Sequence, residues 1–266
     1  AWMDGWQSEY VTNKLTTKGD FTYNTPDLPG HGKDKTSPAS IEFNDYVEQS
    51  VGVNAVELRA AISANHRLFK SNVQQHKFEA FMEGASLSKI YRLYDNGSQV
   101  IAHFETTRDG KPSAEFILLN TKEGKPSSFW AAKQMVPENQ VQNRTMFDGE
   151  INIDHTANTT KNKTTIERWL NDVWIQGKSE QISRYFNNGK VIQHNPHVKD
   201  NVDGLYELAE NNIHIRYTDI VDIFAIGDFV LTFSKGKMNQ NSIWVADLFR
   251  LKNDKIAEHW DVIEFK

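Results

Sequence analysis

Residues Asp219 to Phe265 read DIVDIFAIGDFVLTFSKGKMNQNSIWVADLFRLKNDKIAEHWDVIEF. Apolar and polar residues alternate through this stretch, and β-branched and aromatic side chains dominate it. Ile226-Gly227-Asp228 and Lys252-Asn253-Asp254 interrupt it where a chain reverses. The pattern predicts four strands, Asp219–Ala225, Phe229–Lys235, Ser242–Leu251 and Ile256–Phe265, in an antiparallel meander.

Helical spacing precedes the meander. Ile166, Trp169, Leu170, Val173 and Trp174 recur at i, i+3 and i+4 behind Thr164 or Thr165, either of which can cap a helix. Ile182, Tyr185 and Phe186 repeat that logic over Ser179 to Phe186. Lys190 to Gln193 reads as extended, and Val202 to Asn211 as helical again. Helices followed by an antiparallel meander predict an α+β domain, with helices covering one face of a curved sheet and a pocket between them.

The meander has an earlier counterpart. Setting each residue from Ile90 to Trp130 against the one 130 positions later needs no gap, and matches Ile90 with Ile220, Gly97 with Gly227, Val100 with Val230, Leu118 with Leu248, Lys122 with Lys252, Lys125 with Lys255 and Trp130 with Trp260. The turn signals at Asp95 to Ser98 and Lys122 to Gly124 fall in step. Helical spacing over Ala55 to Phe69 and Val73 to Met82 lies upstream. These features predict two domains, residues 1–138 and 164–266, joined by a polar Asn- and Thr-rich linker over residues 139–163. Turn signals break the first 35 or so residues, where one strand is expected around Phe21 to Tyr23.

Composition narrows the function classes. A formal charge of −5 supplies no basic field for a phosphate backbone or an anionic membrane. No apolar run is long enough to span a bilayer. The absence of cysteine excludes thiol nucleophiles and Cys-ligated zinc. Both cytosol and an oxidising compartment remain open, and a start at Ala1 rather than Met is compatible with a removed leader. His194 and His197 have a His-x-x-His spacing, but they sit on a Pro-containing loop without an established third ligand, so no metal is expected.

Strand alternation sorts the candidate site residues. His259, Asp261 and Ile263 share one face of the last strand, while Trp260 and Val262 take the other. Ile243, Val245, Asp247 and Phe249 share a face of the preceding strand. An ionisable trio can thus gather in an apolar wall, where desolvation raises a carboxylate pKa and an imidazole lowers it. At the same register the earlier meander carries Ile117, Phe129 and Ala131, so its cavity, if open, is apolar. His66 and His103 have no evident place in it.

IQHNPHVKDNVDGLYEL at Ile192–Leu208, followed by ADLFRLKNDKIAEHWDVIE at Ala246–Glu264, resembles the SnoaL-like branch of the NTF2-like superfamily, the polyketide-cyclase-like group. The resemblance covers about Thr164 to Phe265 and extends as a degenerate copy to the first half. It implies two cone-shaped α+β domains, each a curved antiparallel sheet closed by helices around a ligand cavity. It further implies cofactor-free acid/base chemistry, aldol-type or isomerase-type, on a small carbonyl compound. Carried onto this chain, it makes Asp261 the acid/base, with His194, Asp247 and His259 as pocket partners. Asn195, Trp244 and Phe249 complete the set as substrate contacts. A module that binds an apolar ligand without turnover, or an assembly scaffold, are the rival classes. The implied partners are a small molecule and, within the chain, the other domain as a pseudo-dimer through Trp130 or Trp260, with association of whole chains left open.

Overall fold

A computed structural model describes residues 52–64, 66–210 and 214–266. The strand expected at Phe21 to Tyr23 lies outside the described residues. From Val51 onward the chain forms one compact unit. Its elements are α1 (Val53–Ala64), α2 (Asn72–Met82), β1 (Ala85–Asp95), β2 (Gln99–Arg108), β3 (Lys111–Lys122), β4 (Lys125–Met135), α3 (Thr159–Trp169), β5 (Ile192–Gln193), α4 (Asn201–Glu210), β6 (Ile215–Ile226), β7 (Phe229–Met238), β8 (Asn241–Lys252) and β9 (Lys255–Phe265). A π-type turn, Leu170–Ile175, extends α3, and a 3₁₀ turn follows at Ser179–Tyr185. The class is α+β, as expected.

Strands β1-β2-β3-β4 form one antiparallel meander, and β5-β9-β8-β7-β6 form the second sheet, in which the short β5 joins β9 in parallel. The two meanders repeat strand for strand at a separation of 130 residues, from Ala85 and Ile215 at their starts to Met135 and Phe265 at their ends. Their irregularities repeat too. The β1/β2 ladder shifts register between Leu87 and Lys89 and between Ile90 and Arg92, and the β6/β7 ladder between Tyr217 and Asp219 and between Ile220 and Asp222. A bulge concentrates twist where it falls, so sheets with bulges at the same places curve alike. The tight β3/β4 and β8/β9 turns use positive φ at both central positions, Glu123-Gly124 and Asn253-Asp254. That geometry matches the twist of the flanking strands.

Three apolar layers organise the packing. Leu58, Ile62, Phe69, Phe78 and Met82 pack on one face of the first sheet against Phe104, Ile117 and Leu119. Ile166, Trp169, Leu170, Leu205 and their neighbours pack on the second sheet against Val230, Val245 and Phe249. The remaining faces meet each other, with Tyr94, Ile101, Phe116 and Leu118 against Phe224, Phe229, Phe233, Leu248, Trp260 and Val262. Trp130 packs on Trp244 across this junction, with ring centres 5.1 Å apart. Hydrogen bonds cross it as well, from the Ile263 amide to Gln134 Oε1 at 2.7 Å and from Asn120 Nδ2 to Asp222 Oδ2 at 2.7 Å.

Several boundaries depart from the sequence reading. The first helix stops at Ala64 instead of reaching Phe69, because the amides of Leu68 and Phe69 turn to Gln75 Oε1, both at 2.9 Å. The α3 cap is Asn158 instead of Thr164 or Thr165, and its side chain accepts from the Lys161 amide at 3.0 Å. Thr159 to Lys163, read as linker, is therefore the first turn of α3. Its polarity misleads because Asn162 is buried while donating to the Gly227 carbonyl at 3.0 Å. Residues 139–157 are likewise no slack tether. Met146 and Phe147 insert between the two sheets, and any side chain at Gly149 would collide with Glu258, Trp260 and His194.

Candidate functional site

The helix-facing wall of the second sheet places its polar side chains by register. Asp247 on β8 lies directly opposite Asp261 on β9, and Phe249 opposite His259. With a side-chain period of two, all four project to the same side. Phe249 stacks on the His259 ring, centres 4.7 Å apart. These residues border a slender cavity of about 40 Å³ closed by Trp169, Trp174, Leu205 and Ile263, with Tyr217, Gln193 and Asn195 completing its polar side.

Each ionisable group has a supporting partner. His259 directs Nε2 at Asp247 Oδ1, 3.1 Å away, and Nδ1 at Gln193 Oε1, 3.0 Å away. Tyr217 donates its hydroxyl to Asp247 Oδ2 at 2.9 Å, and Asn195 Nδ2 donates to Asp261 Oδ2 at 2.7 Å. Asp261 Oδ1 is buried without a hydrogen-bond partner. An unmatched acceptor in an apolar cavity is costly in a resting protein and is available to a guest.

Burial pushes the Asp261 carboxyl up to about 6, and the Asp247 charge adds to the effect, while His259 and Asn195 hold it back. Burial pulls His259 down, but the hydrogen bond to Asp247 and the charges of Asp261 and Asp247 outweigh it and raise the imidazole above its usual value. Burial raises Tyr217 well above the ordinary phenol, so it donates at every accessible pH. The wall thus holds a carboxyl that ionises near 6 beside an imidazole whose affinity for its proton is raised. A carboxyl that titrates near 6 is suited to accept or donate a proton at physiological pH.

One donor atom each from Asp247, His259 and Asp261 lies within 4.8 Å of the others, a spacing that could also surround a divalent cation. The sequence reading discounted a metal for want of a third ligand beside His194 and His197; the donors that converge are these three instead. Because both His259 ring nitrogens face acceptors, a cation would have to displace the proton at Nε2.

Asp247, His259, Asp261, Asn195 and Phe249 thus come together. His194 and Trp244 do not. Gln193 and His194 are consecutive on an extended segment, and Gln193, paired with His259, takes the cavity side. His194 therefore faces the junction between the sheets, where it stacks on Trp260 at 4.7 Å and bonds Glu258 Oε1 at 2.9 Å and the Thr145 carbonyl at 3.0 Å. It is not a pocket partner. Trp244 is excluded by the same rule, since alternation from Asp247 puts it on the opposite face, against Trp130. His197 is exposed. Tyr217 and Gln193 are the residues that sequence reasoning missed. Gln193 left no signal in the sequence, since a two-residue strand shows no alternation from which to tell whether it or His194 faces the pocket.

The first sheet has no equivalent. Ile117, Phe129 and Ala131 pack into the helix-facing core, where Phe69 stacks on Phe129 at 5.4 Å and Phe78 meets it edge-on at 5.7 Å. His66 is exposed, and His103 lies on the other face, stacked on Phe116 and 3.0 Å from Arg92 Nη1.

The architecture is thus that of a helix-covered, curved antiparallel sheet with a polar pocket wall. No family model and no curated protein matches the chain. Among solved structures it is similar to TsrD from Streptomyces laurentii, at 15% identity over 40% of this chain and 90% of that one, with a TM-score of 0.34. It is also similar to an NTF2-like protein from Burkholderia xenovorans, at 14% identity over 40% and 92% of the two chains, with a TM-score of 0.31. A further similarity is to a protein described as a candidate polyketide cyclase from Bacillus cereus, at 20% identity over 48% and 90%, with a TM-score of 0.33. Among the described residues no helix is long and apolar enough to cross a membrane.

Proposed function

We propose that the C-terminal half is a SnoaL-like small-molecule site performing cofactor-free proton transfer, aldol-type or isomerase-type, on a small carbonyl compound. Asp261 is the acid/base in this reading, His259 and Asp247 set its charge, and Asn195 and Phe249 contact the substrate. The observation that carries the reading is the buried, unpartnered Oδ1 of Asp261 at an apolar cavity, beside the His259 imidazole that Asp247 and Gln193 hold in place. A carboxylate so placed takes a proton from a carbon acid, and the imidazolium offsets the enolate charge that develops. The first half, in the same reading, is a degenerate NTF2-like domain that covers the sheet of its partner as an intramolecular pseudo-dimer.

The test is turnover of small carbonyl substrates by the full chain and by Asp261→Asn, followed from pH 4 to 9. Activity should rise as Asp261 ionises through about 6 and decline where His259 loses its proton. Asp261→Asn should be inactive yet folded, with a melt no lower than that of the parent at any pH in this range. Equal turnover in that variant sinks the acid/base role, whereas equal ligand affinity in both proteins with turnover in neither selects the non-catalytic binding module.

A further inference from the structure

Gln193, the last residue of β5, and Asn195, on the loop between β5 and α4, hold His259 and Asp261, and this stretch is gripped by the segment connecting the two sheets. Gln142 Nε2 donates to the carbonyls of Val198 at 2.8 Å and Gln193 at 3.3 Å. The Val141 amide donates to the Pro196 carbonyl at 2.9 Å. Arg144 Nη1 sits 2.6 Å from both carboxylate oxygens of Asp200, and Asp200 Oδ1 accepts from the Gln193 amide at 2.9 Å. Contacts to Gln193, Pro196, Val198 and Asp200 thus all originate in Val141 to Arg144. Strand β5 is only two residues long and holds few ladder bonds of its own, so its register against β9 depends on such outside support.

We infer that Arg144, acting through Asp200 and Gln193, is a positioning residue for His259, so that the segment connecting the sheets is part of the pocket machinery. The inference rests on the acid/base reading of that wall, though its first readout does not. With Gln193 Oε1 at Nδ1 and Asp247 Oδ1 at Nε2, the ring is presented with two acceptors, which favours the doubly protonated imidazole and fixes its plane. Removing the grip lets β5 slide or fray, and Nδ1 loses its acceptor. The charged and titratable groups at this ring are Asp247 from β8, Asp261 from β9 and, through Asp247, Tyr217 from β6; the cavity-lining residues of α3 and α4 are apolar. A change at Arg144 therefore reaches His259 by one of two routes with opposite signs. Loss of position removes an acceptor and lowers the His259 midpoint. Loss of the positive charge of Arg144 alone removes a repulsion and raises it.

The experiment is an NMR titration of His259 in the resting full chain, assigned by difference against His259→Asn, in Arg144→Met, Gln193→Leu and the double variant, with thermal melts alongside. Gln193→Leu should lower the midpoint by about one pH unit, the scale of one lost hydrogen bond to a charged group. Arg144→Met should lower it by about half a unit, Arg144→Lys should restore it, and Arg144→Met should add nothing to Gln193→Leu. A rise in Arg144→Met, or an equal fall with and without Gln193, overturns the inference. If the midpoints behave as stated while no carbonyl compound is turned over, the proposed activity fails and the positioning role stands.

Discussion

At six helix-facing positions the two sheets carry opposite chemistry in the same geometry. Leu87, Ala102, Phe104, Ile117, Phe129 and Ala131 of the first correspond to Tyr217, Thr232, Ser234, Asp247, His259 and Asp261 of the second. In the first sheet this wall is closed core, sealed by Phe69 and Phe78 over Phe129. In the second, Thr232 Oγ1, Ser234 Oγ and Asp261 Oδ1 are buried without partners, and a cavity stands over the wall. Buried polar atoms left unmatched cost stability, so the second wall contributes less to the fold by itself than the first. The two walls share strand geometry and register, and they differ in these six side chains and in the helix residues packed over them.

The largest break in the comparison should come from Asp261→Asn. Removing the only unpartnered carboxylate oxygen of the wall should lower turnover by roughly 10²- to 10⁴-fold, the range for a general acid or base. Adding the corresponding Ala131→Asp to Asp261→Asn should not restore activity, because Phe129 and Ile117 supply neither imidazole nor second carboxylate; activity regained in the double variant would show that the first wall can also move a proton.

Charge in the first wall should instead damage the fold. Ile117→Asp leaves an uncompensated carboxylate among Phe69, Phe78 and Phe129 and should cost about 3–5 kcal/mol in denaturant unfolding. An unchanged melting point would mean that the first sheet, too, has a hydrated pocket.

The pH dependence of stability sharpens the contrast. Asp261 titrates near 3.8 when exposed and about 6 when folded, so its contribution is absent below pH 4. As pH rises from about 4 to 6 the unfolded chain ionises first, and folding loses stability, approaching roughly 3 kcal/mol above pH 6. His259 acts in the same direction, since a raised imidazole stabilises at low pH and loses that contribution as pH climbs past its folded value. Glu258 opposes both. Burial raises it, but His194 and Arg250 outweigh that and lower it, so its stabilisation is lost as pH falls. The stability gap between Asp261→Asn and the parent should therefore open between pH 4 and 6; a gap that stays constant across that range would place Asp261 in contact with water.

The smallest effect compares the helix caps of the two halves. Asn158 accepts from Lys161 at 3.0 Å and Ser71 from Gln74 at 3.5 Å, so Asn158→Ala should cost about 1 kcal/mol and Ser71→Ala less. Equal costs by chemical denaturation would show that the longer contact is as strong as the shorter.

Period-two alternation and turn residues were sufficient to read the four late strands, their register against the earlier meander, and the shared face of Asp247, His259 and Asp261. These are local properties, since a strand turns successive side chains to opposite sides wherever it lies. The same alternation would have separated Trp244 from Asp247. It said nothing certain of His194, because a two-residue strand has no pattern to read, and only pairing with His259 decided that Gln193 faces the cavity. Tyr217 and the grip of Gln142 and Arg144 on the pocket loop were also beyond reach, as each joins residues tens of positions apart, and no local period encodes such a contact. The sequence by itself determined which side chains each sheet offers to its two faces. Tertiary packing decided which faces met helices, which met each other, and which polar atoms were left without a partner, because those outcomes depend on what fills the space opposite.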